Sequence, residues 1–219
     1  YIVASEVPVV IIDVMRGGPG LGNIQPAQSD YNQITKSAGH GDYHPIVLAP
    51  STVQEGIDMV TLSFDLADKY RTLVFVALDG AIGQMMEPAE MPPMQEIHPR
   101  PEWAVTGMGD RTEKNIISSI YLGADLLGDF NDKLQSKLDI IEENEVRYEA
   151  ETTDDAELVV VAFGTAGRVA KAAVHRLRKQ GKKVGMFRPI TLWPFPDAQL
   201  AALADSGVKK FLVVEMNMG

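Results

Sequence analysis

The chain has 219 residues, 45% of them hydrophobic and 23% charged, an ordinary balance for a globular protein that buries a core of its own. Its formal net charge is −10, and its one basic cluster (Arg176, Arg178, Lys179, Lys182, Lys183) falls at the end of an expected helix, where cations complement the dipole, so nucleic acid is not an expected partner. There is no cysteine, which removes disulfides, thiolate nucleophiles and thiolate ligands, and no apolar run approaches the ~20 residues that span a bilayer.

Val7 to Val14 is a continuous β-rich apolar run, the pattern of a strand covered on both faces. A loop rich in Gly, Pro, Asn and Gln follows, from Arg16 to about Tyr43, and Ile46 to Pro50 is a second short strand. Ser51 is placed to cap the next helix, with Gln54 or Glu55 closing its first turn. That helix reaches Lys69-Tyr70, with Val53, Ile57, Val60, Leu62, Phe64 and Leu66 as its apolar set. Leu73 to Leu78 is a third buried strand. From Pro88 to Pro101 the prolines call for extended chain. A helix is expected from about Thr112 to Glu145, with a break near Gly123 or Gly128, and the acidic run from Glu142 to Glu157 reads as a solvated helix face and linker.

The last third repeats the α/β pattern. Leu158 to Phe163 is a strand, Gly164-Thr165-Ala166-Gly167 a tight turn, and a helix runs on to Gln180 with Gly181 terminating it. Val184 to Phe187, a helix over Pro196 to Asp205, and Phe211 to Val214 complete it. The expected fold class is therefore α/β, with two parallel-sheet α/β domains (1–87 and 156–219) joined by a long, partly helical connector (88–155). No basic segment followed by an apolar stretch opens the chain, so a cytoplasmic location is expected. The chain enters its first strand soon after Tyr1 and stops at Met216-Asn217-Met218-Gly219 beyond its last, which leads us to expect a piece of a longer protein.

Ligands of open α/β sheets bind outside the carboxyl ends of the strands, where Met15-Arg16-Gly17-Gly18-Pro19-Gly20-Leu21-Gly22-Asn23 must lie. Its glycines admit close backbone approach, and Arg16 offers a fork of donors suited to carboxylate or phosphate. The two common phosphate fingerprints are absent, so an anion-binding loop and a merely tight connection both remain open. His40 and His44, with Asp42 between them, lack an identifiable third ligand. They read as polar loop residues lining a cleft or meeting a partner, not as a metal site. The turn at Gly164 has the form of a phosphate turn but reads as structural, and Met85, Met86, Met91 and Met94 read as packing or interface residues. No catalytic triad or carboxylate pair can be identified.

Met15-Arg16-Gly17-Gly18-Pro19-Gly20-Leu21-Gly22-Asn23-Ile24, Gln28-Ser29-Asp30-Tyr31, Gly39-His40-Gly41-Asp42-Tyr43 and Ile46-Val47-Leu48-Ala49-Pro50 together resemble the pyrimidine-domain subunit of the 2-oxoacid:ferredoxin oxidoreductases. Leu66 to Arg71 and Glu142 to Tyr148 continue the likeness, and the Gly-Pro-Gly-Leu-Gly-Asn form is similar to the branched-chain (2-oxoisovalerate) type. The resemblance implies a thiamine-pyrimidine-binding domain, incomplete at its amino end, followed by a transketolase C-terminal-like domain. It implies thiamine diphosphate and Mg²⁺ shared with a diphosphate-binding subunit, [4Fe–4S] clusters on a ferredoxin-like subunit, and coenzyme A and ferredoxin as co-substrates. By the same resemblance Arg16 faces the 2-oxoacid carboxylate, with Gly17, Gly18, Gly20 and Gly22 shaping the loop around it. The glutamate that activates the aminopyrimidine in such enzymes has no counterpart here, because Glu6 lies too close to the strand start.

Overall fold

The computed structural model describes residues 1–37, 39–94 and 99–219; residues 95–98 of the proline-rich stretch lie outside it. Two four-stranded sheets organise the chain. The first has the order β1 (Val9–Met15), β3 (Leu73–Asp79), β2 (Ile46–Leu48), β7 (Thr191–Trp193), and the second the order β4 (Tyr148–Glu151), β6 (Val184–Pro189), β5 (Leu158–Val161), β8 (Lys210–Val213). In the first sheet β1, β3 and β2 run parallel and β7 is antiparallel; in the second β6, β5 and β8 run parallel and β4 is antiparallel. The parallel-dominant α/β class is the one expected.

The first core is built on the central strands, where Ile46, Val47, Leu48, Val74 and Val76 are wholly buried. The long helix α2 (Val53–Tyr70) covers them with Met59, Leu66, Ala67 and Tyr70, and α4 (Ala124–Asn144) adds Leu134, Leu138 and Ile141. Phe64, expected inside, is exposed, because the buried stripe of α2 is Gly56, Met59, Ser63, Leu66, Ala67 and Tyr70, spaced at helical period. The helix is capped one residue later than expected: Thr52 Oγ1 accepts from the Glu55 amide at 3.1 Å, while Glu55 reaches back to the Ser51 amide at 2.7 Å. Reciprocal satisfaction of two orphan donors makes this a capping box displaced by one position.

In the second unit, alternate residues of β5 face opposite layers. Val160, with Met186 of β6, packs on α5 (Gly164–Lys179) through Ala166, Ala170 and Val174; Val159, Val161 and Phe187 pack toward Leu200 and Leu203 of α6 (Asp197–Asp205).

Four expectations change. The first strand is not covered on both faces: β1 is an edge strand, and Ile12 and Val14 stand 52% and 46% exposed. The helix expected from Thr112 begins only at Ala124, with Gly123 at its N-cap, since the preceding stretch carries Asn115, Ser118, Ser119 and Gly123 in place of helix formers. The acidic run read as linker contains β4, whose Glu149 and Glu151 are held by Lys171 of α5. Finally, the chain leaves β6 and at once lends β7 to the first sheet, with Val47 opposite Trp193. Two short helices, α1 (Tyr31–Thr35) and α3 (Gly80–Gln84), were not anticipated.

The two units are locked by more than that strand. Arg188 of β6, 4% exposed, makes paired bonds of 3.0 and 2.8 Å to Glu55 of α2 and a third of 2.9 Å to Glu149 of β4. Burial alone would raise the Glu55 carboxyl, but the guanidinium and the Ser51 groups outweigh it and hold the group below its ordinary value of 4.5. Glu149 is lowered in the same way: burial opposes, and Lys171 and Arg188 prevail. Carboxylates with lowered folded values contribute stability that is complete above their ordinary value and lost as pH falls through the folded one. Arg188→Met should therefore lower stability at neutral pH by on the order of 2–3 kcal/mol, less than for a fully buried pair because both glutamates stay partly solvated. Urea unfolding of both proteins from pH 7 downward checks this: the difference between them should persist to about 4.5 and shrink below it.

Candidate functional site

β1 and β3 end side by side, Met15 opposite Asp79, so the Arg16 loop leaves the carboxyl edge of the first sheet as expected. It returns on itself. Arg16 forms a bridge with Pro26, Gly17 N donates to Gln25 O at 2.9 Å, and Asn23 N donates to Gly17 O at 2.9 Å. Ser29 Oγ then donates to the Arg16 carbonyl at 2.8 Å. The guanidinium lies over its own loop, Nη1 donating to Gly17 O and Nη2 to Gly20 O, each at 2.9 Å. Two of its five N–H groups are thus committed and three remain.

Gly22 is the position the loop cannot change. Its φ is +51°, and an added Cβ would lie 1.8 Å from Gly17 O and 2.4 Å from Arg16 Nη1. Gly17 is nearly as confined, by Asn23 Oδ1 at 2.5 Å, whereas Gly18 and Gly20 face open space. The loop tip presents Leu21 and Ile24, 93% and 80% exposed.

Behind the loop lies a buried polar junction that the sequence did not reveal. Gln28, fully buried, donates from Nε2 to Phe163 O at 2.9 Å and accepts at Oε1 from Met216 N at 3.0 Å. Its backbone N donates to Met216 O at 2.8 Å, and its backbone O accepts from Asn217 Nδ2 at 3.2 Å. Beside it the Asp79 carboxylate, also fully buried, caps α3 through Ala81 N and Ile82 N. It also accepts from Thr165 N at 3.0 Å and Thr165 Oγ1 at 2.7 Å. The turn at Gly164 thus offers its amide to the protein's own Asp79, which is why its phosphate-turn form has a structural explanation. Gly164 has φ +55°, and a Cβ there would meet Gln28 Nε2 at 2.8 Å, so this glycine lets the two sheets' carboxyl edges close together.

The remaining candidates lie elsewhere. Gly39 to His44 precede β2 and so stand toward the amino-terminal strand edge, away from Arg16. His44 Nδ1 lies 2.8 Å from Thr35 O and its ring stacks on Trp193 at 5.2 Å, lining a cleft of about 520 Å³ with Tyr31, Tyr43 and Phe195. Among the described residues no group of three His, Cys, Asp or Glu could hold a metal ion. Met86, Met91 and Met94 are exposed, and Met85 Sδ accepts from Arg168. Glu6 is bound by Lys133 at 2.5 Å and Lys137 at 2.7 Å, before β1 and distant from the loop. Near the loop stem, burial raises the half-buried Asp13 carboxyl, with Asp30 adding repulsion, and burial likewise raises the Tyr31 phenol, with Glu215 and Asp197 adding to it. Neither shift had a sequence signal, since each arises from neighbours distant in the chain.

Gly22→Ala should cost about 1–3 kcal/mol of stability and speed amide exchange across 17–26, because the strained φ and the clash fall together. Gly18→Ala, with open space around it, should change stability by less than about 0.5 kcal/mol. Thermal unfolding and hydrogen exchange of the two variants check this.

Comparison with known proteins matches two stretches of the chain. Residues 1–126 match the profile of the pyruvate flavodoxin/ferredoxin oxidoreductase thiamine diphosphate-binding domain, and residues 156–219 match pyruvate:ferredoxin oxidoreductase core domain II. The chain is 52% identical over 220 residues to the ketoisovalerate oxidoreductase subunit VorB of Methanothermobacter thermautotrophicus, spanning all of this chain and 62% of that protein. It is 35% identical over 238 residues to the 2-oxoglutarate synthase subunit KorA of Methanocaldococcus jannaschii, covering 98% of this chain and 64% of that one. A solved 2-oxoglutarate:ferredoxin oxidoreductase from Magnetococcus marinus, with 2-oxoglutarate, coenzyme A and succinyl-CoA bound, superposes with a TM-score of 0.80 at 25% identity, over 98% of this chain and 42% of the other. The chain thus spans about three fifths of the length of the curated relatives it matches. With more than half of its residues inside the thiamine-binding profile, this chain belongs to the pyruvate flavodoxin/ferredoxin oxidoreductase family.

Proposed function

We propose that this chain is part of the thiamine-pyrimidine-binding subunit of a 2-oxoacid:ferredoxin oxidoreductase that acts on 2-oxoisovalerate or another branched-chain 2-oxoacid. The observation that carries the substrate class is the gap in identity, 52% to a ketoisovalerate oxidoreductase subunit against 35% to a 2-oxoglutarate synthase subunit, each over essentially the whole chain. In the reaction the 2-oxoacid loses its carboxylate as carbon dioxide, two electrons leave the acyl carbon for ferredoxin, and the acyl group passes to coenzyme A. Thiamine diphosphate, when bound, supplies the nucleophilic carbon and electron sink for that chemistry.

What this chain contributes is placement. Arg16 keeps three N–H groups beyond those on its own loop, enough for a carboxylate to be held in a fork by a permanently charged partner. Gly22 keeps a side chain out of the space beside it and fixes the turn that brings the guanidinium over the loop, while Gly17, Gly18 and Gly20 shape the rest of that loop. Asp79 is fully used by four hydrogen bonds and is not assigned the aminopyrimidine; nor is Glu6, tied to two lysines. We assign the diphosphate and Mg²⁺ to a second subunit and the [4Fe–4S] clusters to a ferredoxin-like subunit, since this stretch has no cysteine. Residues 1–87 then serve as the pyrimidine-binding portion, 88–155 as a connector that lends α4 to the first core and β4 to the second sheet, and 156–219 as the transketolase C-terminal-like portion.

Two measurements on the complex containing this chain test the proposal. Anaerobic, coenzyme A-dependent viologen reduction across a panel of 2-oxoacids should be fastest with 2-oxoisovalerate; preference for pyruvate or 2-oxoglutarate would overturn the substrate class. Arg16→Ala should lower kcat/KM for the 2-oxoacid by about 100-fold, as expected when a bound carboxylate loses its charged, forked partner. An unchanged constant would favour a subunit that only holds partners together.

A further inference from the structure

Among the described residues the Arg16 loop has no side-chain tie of its own to the second unit; what holds its returning stem is Gln28. The stem runs Pro26-Ala27-Gln28-Ser29, with Pro26 bridged to Arg16 and Ser29 Oγ bonded to the Arg16 carbonyl. Pro26 also lies under Gly80, where an added Cβ would come 3.4 Å from its Cα. Between these two attachments Gln28 makes four hydrogen bonds, all to residues at least 135 positions away and all at the carboxyl edge of the second sheet: Phe163 after β5, and Met216 and Asn217 after β8. Phe163 is itself 3% exposed, packed in the first core against Tyr31 with ring centroids 5.8 Å apart, so the carbonyl that receives Gln28 belongs to a residue that cannot drift. A fully buried primary amide with donor and acceptor both matched is costly to replace by any side chain lacking either group.

We propose that Gln28 is a positioning residue: its side-chain amide clamps the stem of the Arg16 loop onto the second α/β unit and so sets where the guanidinium stands. This rests on the role proposed above for Arg16. Through the clamp, seating of the second unit is transmitted to the 2-oxoacid subsite along one chain of contacts, from Phe163 and Met216 through Gln28 and Ser29 to Arg16.

Gln28→Met, similar in size but without the amide, should speed amide exchange over 17–26 in the assembled complex and raise KM for the 2-oxoacid about tenfold with a smaller change in kcat. Arg188→Met is the control: it weakens the same interface elsewhere and should lower thermal stability while leaving KM and the exchange of 17–26 unchanged. Normal exchange of 17–26 in Gln28→Met would overturn the clamp, as would an equal rise of KM in Arg188→Met, which would make the effect one of general loosening. Should Gln28→Met fail to assemble, Gln28→Asn keeps a primary amide but is one methylene short of Phe163 O and Met216 N, and should still speed exchange in 17–26; no change there would overturn the proposal. A looser loop in Gln28→Met beside a normal KM in Arg16→Ala would retire the Arg16 assignment and keep the clamp.

Discussion

Where two parallel sheets bring their carboxyl edges together, the polar groups at both edges lose water and must find partners within the protein. Asp79 and Gln28 meet that requirement here. Asp79 serves α3 and the start of α5 with one carboxylate; Gln28 satisfies backbone groups of Phe163 and Met216 with one amide. Gly164 is the condition for both, since a side chain there would push the amide and the carboxylate away. The meeting of the two carboxyl edges behind the Arg16 loop, with both polar side chains fully buried, is held by this junction.

A second layer of attachment makes the junction stiff. β7 pairs with β2, and Arg188 joins α2 to β4 and β6 through Glu55 and Glu149. The chain is therefore not two beads on a linker. A strand that follows the second sheet completes the first, and a phenylalanine that follows β5 fills the first core. A loop placed at such a seam can be rigid although it is glycine-rich, because its stem is bonded on both sides.

Part of the chain's acidity is paired within the fold. Of the acidic run after α4, Glu145 is held by Lys69, Tyr70 and Arg147, and Glu149 and Glu151 by Lys171, so a stretch that reads as solvated charge is in part a set of matched pairs. Periodicity cannot distinguish the two, because the partners come from other elements.

Hydrophobic runs bounded by glycine and proline were enough to place β1, β2, β3, β5, β6 and β8, the helices α2, α5 and α6, and the α/β class, since these depend on local pattern and period. The Arg16 loop at a strand's carboxyl end was legible for the same reason: strand order in sequence puts it there. What the chain alone did not determine were β4 and β7: β4 alternates over only four residues inside an acidic run, β7 has three residues, and each pairs because a neighbouring strand offers its free edge. Nor did it determine which face of β1 stays open, which helical stripe of α2 is buried, or that Gln28 and Asp79 would meet residues 86 to 189 positions away. Those outcomes depend on how two sheets pack, and packing reads the whole surface of each element, not its sequence neighbours.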